Sequence, residues 1–338
     1  MKLHVFFTIA LSNVPSFRTF ARHGMRRLTV AVLFVLCVTV TAAMESRSGR
    51  HATDILPVAD TPRVSRGRIV VHLISSREIG ERRVDVWLPE QPPPESGYPV
   101  LYCNDGQMLF DARNSWNGLE WGMDETAGRM IAADSLPAMI IVGIWNGGEN
   151  RRAEYFPERA LARIAPPWDA RMLALMPRGP RADAYLRFII HELKPLIDSL
   201  HPTNRGASAT AVCGASTEAL GALYALCEYP DVFSHALCLS THWTGVLVDN
   251  DAIPEALFGY FLQRLPASGR HAVYFDRGTR GLDSLYARHQ TAADELFIQA
   301  GLLPSASPVY EGDDHSEQAW SRRLPLVLQW LASRLRNR

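Results

Sequence analysis

The stretch Thr210-Ala211-Val212-Cys213-Gly214-Ala215-Ser216-Thr217-Glu218-Ala219-Leu220 decides how the chain is read. An apolar run ends at a glycine, and a serine follows two residues later. A helical pattern then opens with Leu220, Leu223, Tyr224 and Cys227. The order is strand, sharp turn, helix, with Ser216 at the apex. Such a turn lifts a hydroxyl off the end of a sheet and aims the helix's unpaired N–H groups at whatever that hydroxyl meets. Serine is also a common N-cap, so this stretch alone reads equally well as an ordinary strand-to-helix turn. The choice between nucleophile and cap depends on the rest of the chain.

Working outward from the turn, strands are expected at residues 98–102, 138–144, 208–213, 233–239, 272–275 and 308–310. Helices are expected at 123–133, 183–200, 217–228, 286–300 and 316–336. This alternation implies a parallel sheet covered on both faces. Residues 68–75 and 82–88 alternate apolar with polar and read as an antiparallel pair ahead of it. The expected fold is therefore α/β, a mostly parallel central sheet with helices on both faces and an antiparallel N-terminal hairpin, over residues 67–338. Residues 44–66 are polar with scattered proline and read as a flexible lead-in. Before them, Arg26-Arg27 precede an uncharged apolar run over 28–40 and the small residues Thr41-Ala42-Ala43. That is the pattern of a secretory signal. Residues 1–43 are accordingly expected to be an upstream extension plus leader, and the mature chain to be exported, periplasmic or secreted. The run is short for a membrane span, so an uncleaved leader is the one membrane attachment foreseen.

Composition narrows the function classes. Of 338 residues, 47% are hydrophobic and 21% charged, which suits a soluble globular protein. Lysine plus arginine and aspartate plus glutamate both number 35, which argues against a dedicated nucleic-acid binder. The sequence has no H-E-x-x-H, paired-cysteine spacing or P-loop, so neither metal nor cofactor is expected. Cys103, Cys213, Cys227 and Cys238 lie on or beside expected buried elements and are expected to be free thiols.

A serine nucleophile needs a base to take its proton and an acid to orient that base. His315, in Glu311-Gly312-Asp313-Asp314-His315-Ser316-Glu317, falls in a turn past the last strand. His242, just beyond the strand that ends at Leu239, competes with it. Chain order serine, acid, histidine favours His315. Between them, Asp276 lies at an expected strand end and Asp283 farther out, where a loop can fold back to a histidine; the latter is preferred. The oxyanion site would take an N–H from Thr217 and another from the Asn104-Asp105-Gly106-Gln107 turn, where Gly106 lets the backbone bend. Trp116, Trp121, Trp145, Trp168 and Trp243 all fall in loops on one expected rim. Either they form a satellite core under long loops, or some of them wall a cleft. Trp116, Trp121, Asp105, His242 and Trp243 are the candidates to meet substrate. The segment 144–182 carries seven arginines against four acids, which reads first as a solvated face.

With these residues in place, the chain resembles the putative-esterase family of α/β-hydrolases, which includes enterochelin-esterase-like, S-formylglutathione-hydrolase-like, feruloyl-esterase-like and mycolyltransferase-like proteins. The matching stretches are Tyr98-Pro99-Val100-Leu101-Tyr102 with Asp105-Gly106-Gln107 and Phe110-Asp111; Arg152 with Glu154-Tyr155-Phe156-Pro157; the turn at Ser216; Ser240-Thr241-His242-Trp243; Gly278-Thr279 with Leu282-Asp283; and His315 with Glu317 and Trp320. The resemblance implies Ser216 as nucleophile, His315 as base, Asp283 as acid and an oxyanion N–H near Gln107. It also implies a small-molecule or glycoconjugate ester as substrate. One departure stands out. Where the family reads G-x-S-x-G, this chain has Gly214-Ala215-Ser216-Thr217-Glu218. A glutamate there is expected to crowd the turn and to oppose a developing oxyanion. Three functions follow: an exported serine esterase working through an acyl-enzyme, an acyltransferase on the same residues, or a binding protein that has lost turnover.

Overall fold

The structure, a computed structural model, describes residues 53–55, 61–266, 269–301 and 306–336. The expected leader and most of the expected lead-in lie outside the described residues. Among the described residues no helix is long and apolar enough to cross a membrane.

Nine strands form one sheet in the order β1-β2-β3-β5-β4-β6-β7-β8-β9. β1 (Thr53–Ile55), β2 (Arg68–Ser76) and β3 (Gly80–Leu88) are antiparallel neighbours, and β3 pairs antiparallel with β5 (Ile140–Ile144). From there β5, β4 (Val100–Asn104), β6 (Thr210–Ala215), β7 (His235–Leu239), β8 (Ala272–Gly278) and β9 (Val309–Tyr310) run parallel. Every residue of β4, β5, β6 and β7 is buried, as strands covered on both faces must be. One face packs Trp87, Leu101, Met139 and Leu237 against α1 (Met123–Ala132) and the C-terminal helix Glu317–Arg336. The other packs Tyr102, Val142, Val212 and Phe275 against the remaining helices.

Three local features depart from the sequence reading. Residues expected in a flexible lead-in are tied down: Thr53–Ile55 pair with β2, the Arg63 and Ser65 N–H groups donate to Asp111 and Asp124 at 2.7 Å each, and Trp87 Nε1 donates to the Arg66 carbonyl at 2.7 Å. The helix expected over 183–200 is broken by a π-turn at Ile189–Leu193. Pro195 explains this, because proline supplies no N–H and crowds the carbonyl four residues back, so the ladder widens there. Finally, residues 252–264, expected inside a loop, form a helix, Ala252–Arg264. Pro254 lies in its first turn, where a missing N–H leaves no gap in the ladder.

The topology sets the position of the site. β4 lies between β5 and β6, so the chain leaves β4 toward one side and returns on the other. The carboxyl ends of β4 and β6 therefore open on a common crevice, the place where ligands bind in sheets of this kind.

Candidate active site

Ser216 occupies the crevice end of β6, immediately before α2 (Thr217–Glu228). Its backbone is held at φ 60, ψ −123, a conformation that strongly disfavours a side-chain-bearing residue and persists only when the surroundings enforce it. The Ser216 N–H donates to the Leu239 carbonyl at 2.9 Å, and its carbonyl accepts the His242 N–H at 3.2 Å. Behind the turn, a Cβ on Gly214 would sit 2.5 Å from the Glu218 carbonyl carbon and 2.6 Å from the Glu218 Cβ, so this position requires glycine. The expected crowding by Glu218 is thus absorbed by Gly214, and the sharp turn forms with glutamate in the slot.

His315 arrives on the loop after β9 and stands edge-on to Trp320, with ring centroids 5.1 Å apart. Its Nε2 is 2.8 Å from Ser216 Oγ, and its Nδ1 is 2.6 Å from Asp283 Oδ1. A carboxylate opposite Nδ1 keeps the proton on that nitrogen, leaving Nε2 bare toward the serine hydroxyl. Asp283 is fully buried, and its Oδ2 accepts the Gly278 N–H at 2.5 Å and the Ser240 hydroxyl at 2.7 Å. Burial pushes this carboxyl up, but the hydrogen bonds and charge from His315, with those from Gly278 and Ser240, outweigh burial and hold it below the usual carboxylate range.

The alternative acid and base sit elsewhere. Asp276 lies within β8 rather than at its end, bonded to Arg323 Nη1 at 3.0 Å and to the Ser240 N–H at 3.2 Å. Burial pushes it up to about 7 against the pull of Arg323. His242 is sealed in, with Nδ1 hydrogen-bonded to the Tyr286 hydroxyl. Burial first, then the positive charge of Arg152, drives its pKa down to about 3.

Of the expected oxyanion residues, Thr217 is the first residue of α2, and Gly106 and Gln107 open a single 3-10 turn, Gly106–Met108, after β4. N–H groups in a first helical turn have no intrahelical acceptor, so both backbones offer donors at the crevice end of the sheet. Gly106 packs so tightly on β5 that a Cβ would fall 2.3 Å from the Gly143 carbonyl carbon. Asn104 Nδ2 donates to the Glu218 carbonyl at 3.0 Å and so links the end of β4 to the first turn of α2.

The cleft over Ser216 has a volume of about 180 Å³. Of the five candidate substrate residues, Trp116, Trp121 and Asp105 line it. Trp243 and His242 do not. Trp243 is wholly buried among Phe258, Phe261 and Phe275, with Nε1 donating to Gln290 at 2.8 Å, so its expected place on the cleft wall is corrected to a place in the core. Trp145 is likewise engaged away from the cleft, donating to Asp85 at 2.7 Å. The cleft contains an ion cluster that was not foreseen. Arg151 Nε donates to Asp105 Oδ2 at 2.8 Å, and its Nη2 pairs with Glu218 Oε1. Glu218 therefore faces a guanidinium, and the expected repulsion of an oxyanion is partly offset. Arg151 is one of seven arginines in its segment, and nothing in the spacing singles it out. Arg323 was legible in principle: it shares the apolar stripe of its helix with Ala319, Trp320, Leu324 and Val327, where a charge needs buried partners.

The sequence matches the putative-esterase family over residues 75–331. The Bacillus subtilis (strain 168) protein YbbA is 24% identical over 271 residues, 78% of this chain and 98% of YbbA. The Bacillus cereus BES protein structure is similar with a TM-score of 0.59 at 20% identity, covering 82% of this chain and 99% of that one. The Shigella flexneri enterobactin esterase FES has a TM-score of 0.58 at 18% identity, covering 82% of this chain and 62% of FES. At these identities the solved structures speak for the fold, and the family match for the kind of reaction. The chain belongs to the putative-esterase family and is a carboxylic ester hydrolase.

Proposed function

We propose that the chain is an exported serine esterase acting through an acyl-enzyme. Ser216 Oγ attacks the ester carbonyl while His315 Nε2 takes its proton and passes it to the departing alcohol. Asp283 holds the imidazole in the reactive tautomer and stabilises the imidazolium that forms. The N–H groups of Thr217 and Gln107, the latter presented by the Gly106 turn, hold the oxyanion. Water, activated by the same imidazole, then releases the acid. The observation that carries this reading is the unbroken hydrogen-bond chain from Ser216 through His315 to Asp283, with Asp283 itself locked by Gly278 and Ser240. The intact turn at Ser216 and the pairing of Glu218 with Arg151 favour turnover over a silent cleft. The aromatic wall of Trp116 and Trp121 suits a small-molecule ester.

The purified chain is expected to hydrolyse 4-nitrophenyl butyrate, and Ser216→Ala to lower kcat by roughly 10³-fold or more. A mutant rate within about tenfold of wild type would rule out Ser216 as the nucleophile. Export is tested separately. Expression from Met25 in a bacterial host should yield an exported protein whose N-terminus lies between Ala43 and Glu45; an intact Met25 on cytoplasmic protein would contradict it.

A further inference from the structure

We propose that the cleft contains a subsite for a positively charged group, an alkylammonium carried by the substrate, with Glu218 as the residue that holds it. That a substrate carries this group rests on the serine-esterase reading; the binding itself does not. Glu218 lines the cleft two residues after Ser216 and is only 4% exposed. Its two carboxylate oxygens are in different situations. Oε1 is paired with Arg151, whereas Oε2 is buried and has no hydrogen-bond partner among the described residues. A buried carboxylate oxygen without a donor is unfavourable, so a donor that reaches this atom from the cleft relieves that cost.

The surroundings say what kind of donor fits. Arg151 is already shared, with Nε on Asp105 and Nη2 on Glu218, so one guanidinium serves two carboxylates. Glu317 adds a third carboxylate to the lining, and its Oε2 accepts from Asn117 Nδ2 at 2.9 Å, a neutral donor. Three acids thus face one arginine in the same cleft, and the imbalance favours a cation over a neutral hydroxyl. Trp116, 56% exposed on the same wall, already carries the Arg151 guanidinium over its ring at 5.4 Å from the centroid, so this wall is one against which a cation rests. The partial repulsion from Arg151 is weakened because both of its carboxylate partners lie against it.

The test uses the full chain carrying Ser216→Ala, so that no turnover is needed. Hexylammonium and hexan-1-ol, equal in length, are titrated by calorimetry at neutral pH and low salt. Hexylammonium should bind about tenfold more tightly, the scale of one charge-assisted hydrogen bond. Glu218→Gln in the same background should abolish the preference. Equal or tighter binding of the alcohol overturns the proposal, and that comparison stands even if the glutamine variant does not fold. A preference that survives Glu218→Gln also overturns it, by removing Glu218 as its cause. Because binding is read without hydrolysis, an inactive wild-type enzyme would sink the esterase reading and leave this result intact.

Discussion

At the scale of single residues, the cleft is governed by how Arg151 distributes one positive charge. A carboxylate at the start of α2 suits the helix end but opposes the negative oxygen that forms over Ser216. At ~8 Å and an effective dielectric of ~20, an unpaired Glu218 would raise that barrier by roughly 2 kcal/mol. Arg151, shared between Glu218 and Asp105, offsets part of this penalty. Arg151→Ala should therefore lower kcat/KM on a neutral ester by about 30-fold at most, and Glu218→Gly in that background should restore much of it. Steady-state kinetics on the two variants decide the matter; an Arg151→Ala enzyme as fast as wild type would show that the charge balance is irrelevant to acylation. Ser216 could be picked out in the sequence because it sits just past a strand, and Asp283 and His315 because they follow it, in that chain order, in the loops after later strands. Arg151 could not, because its role depends on a contact with Glu218 sixty-seven residues away.

At the scale of elements, the segment after β7 carries more structure than its sequence suggests. Ser240 donates to Asp283 and accepts from Trp320 Nε1 at 3.0 Å and Arg323 Nη1 at 3.2 Å, so this one hydroxyl ties β7, the acid and the C-terminal helix together. Two residues on, His242 and Trp243 turn inward. The sequence suggested a rim there because tryptophan and histidine after a strand end look accessible; packing against Tyr286 and the phenylalanine cluster decides otherwise. Burying His242 in its neutral form has a thermodynamic consequence. Its folded pKa, about 3, lies below the ordinary 6.5, so between these values the unfolded chain binds the extra proton. Stability from this residue is complete above pH 6.5 and is lost as pH falls toward 3, by at most about 1.4 kcal/mol per pH unit. Urea unfolding at pH 7 and pH 5 should show a smaller drop for His242→Gln than for wild type. Equal drops would mean that His242 does not contribute to acid sensitivity.

At the scale of the whole molecule, function follows from where the sheet changes direction. Placing β4 between β5 and β6 brings the 3-10 turn after β4 beside the turn at Ser216, and the parallel order β6-β7-β8-β9 delivers Asp283 and His315 to the same end. The alternation of apolar strands and amphipathic helices made this arrangement readable, as did the antiparallel hairpin. The short helices Arg151–Tyr155, Glu158–Leu161 and Trp168–Ala174 and the helix Ala252–Arg264 were harder to read, since the prolines between the first three, and Pro254 and Gly259 within the last, imitate loop composition. If the crevice is a working serine esterase, a fluorophosphonate should react with one residue of the intact chain. Incubation with such a probe, followed by peptide mass spectrometry, should place a single phosphonate adduct on Ser216 and find none in Ser216→Ala or in heat-unfolded protein. An unlabelled native chain, or an adduct on any other serine, would contradict the assignment of Ser216, His315 and Asp283 as one catalytic unit.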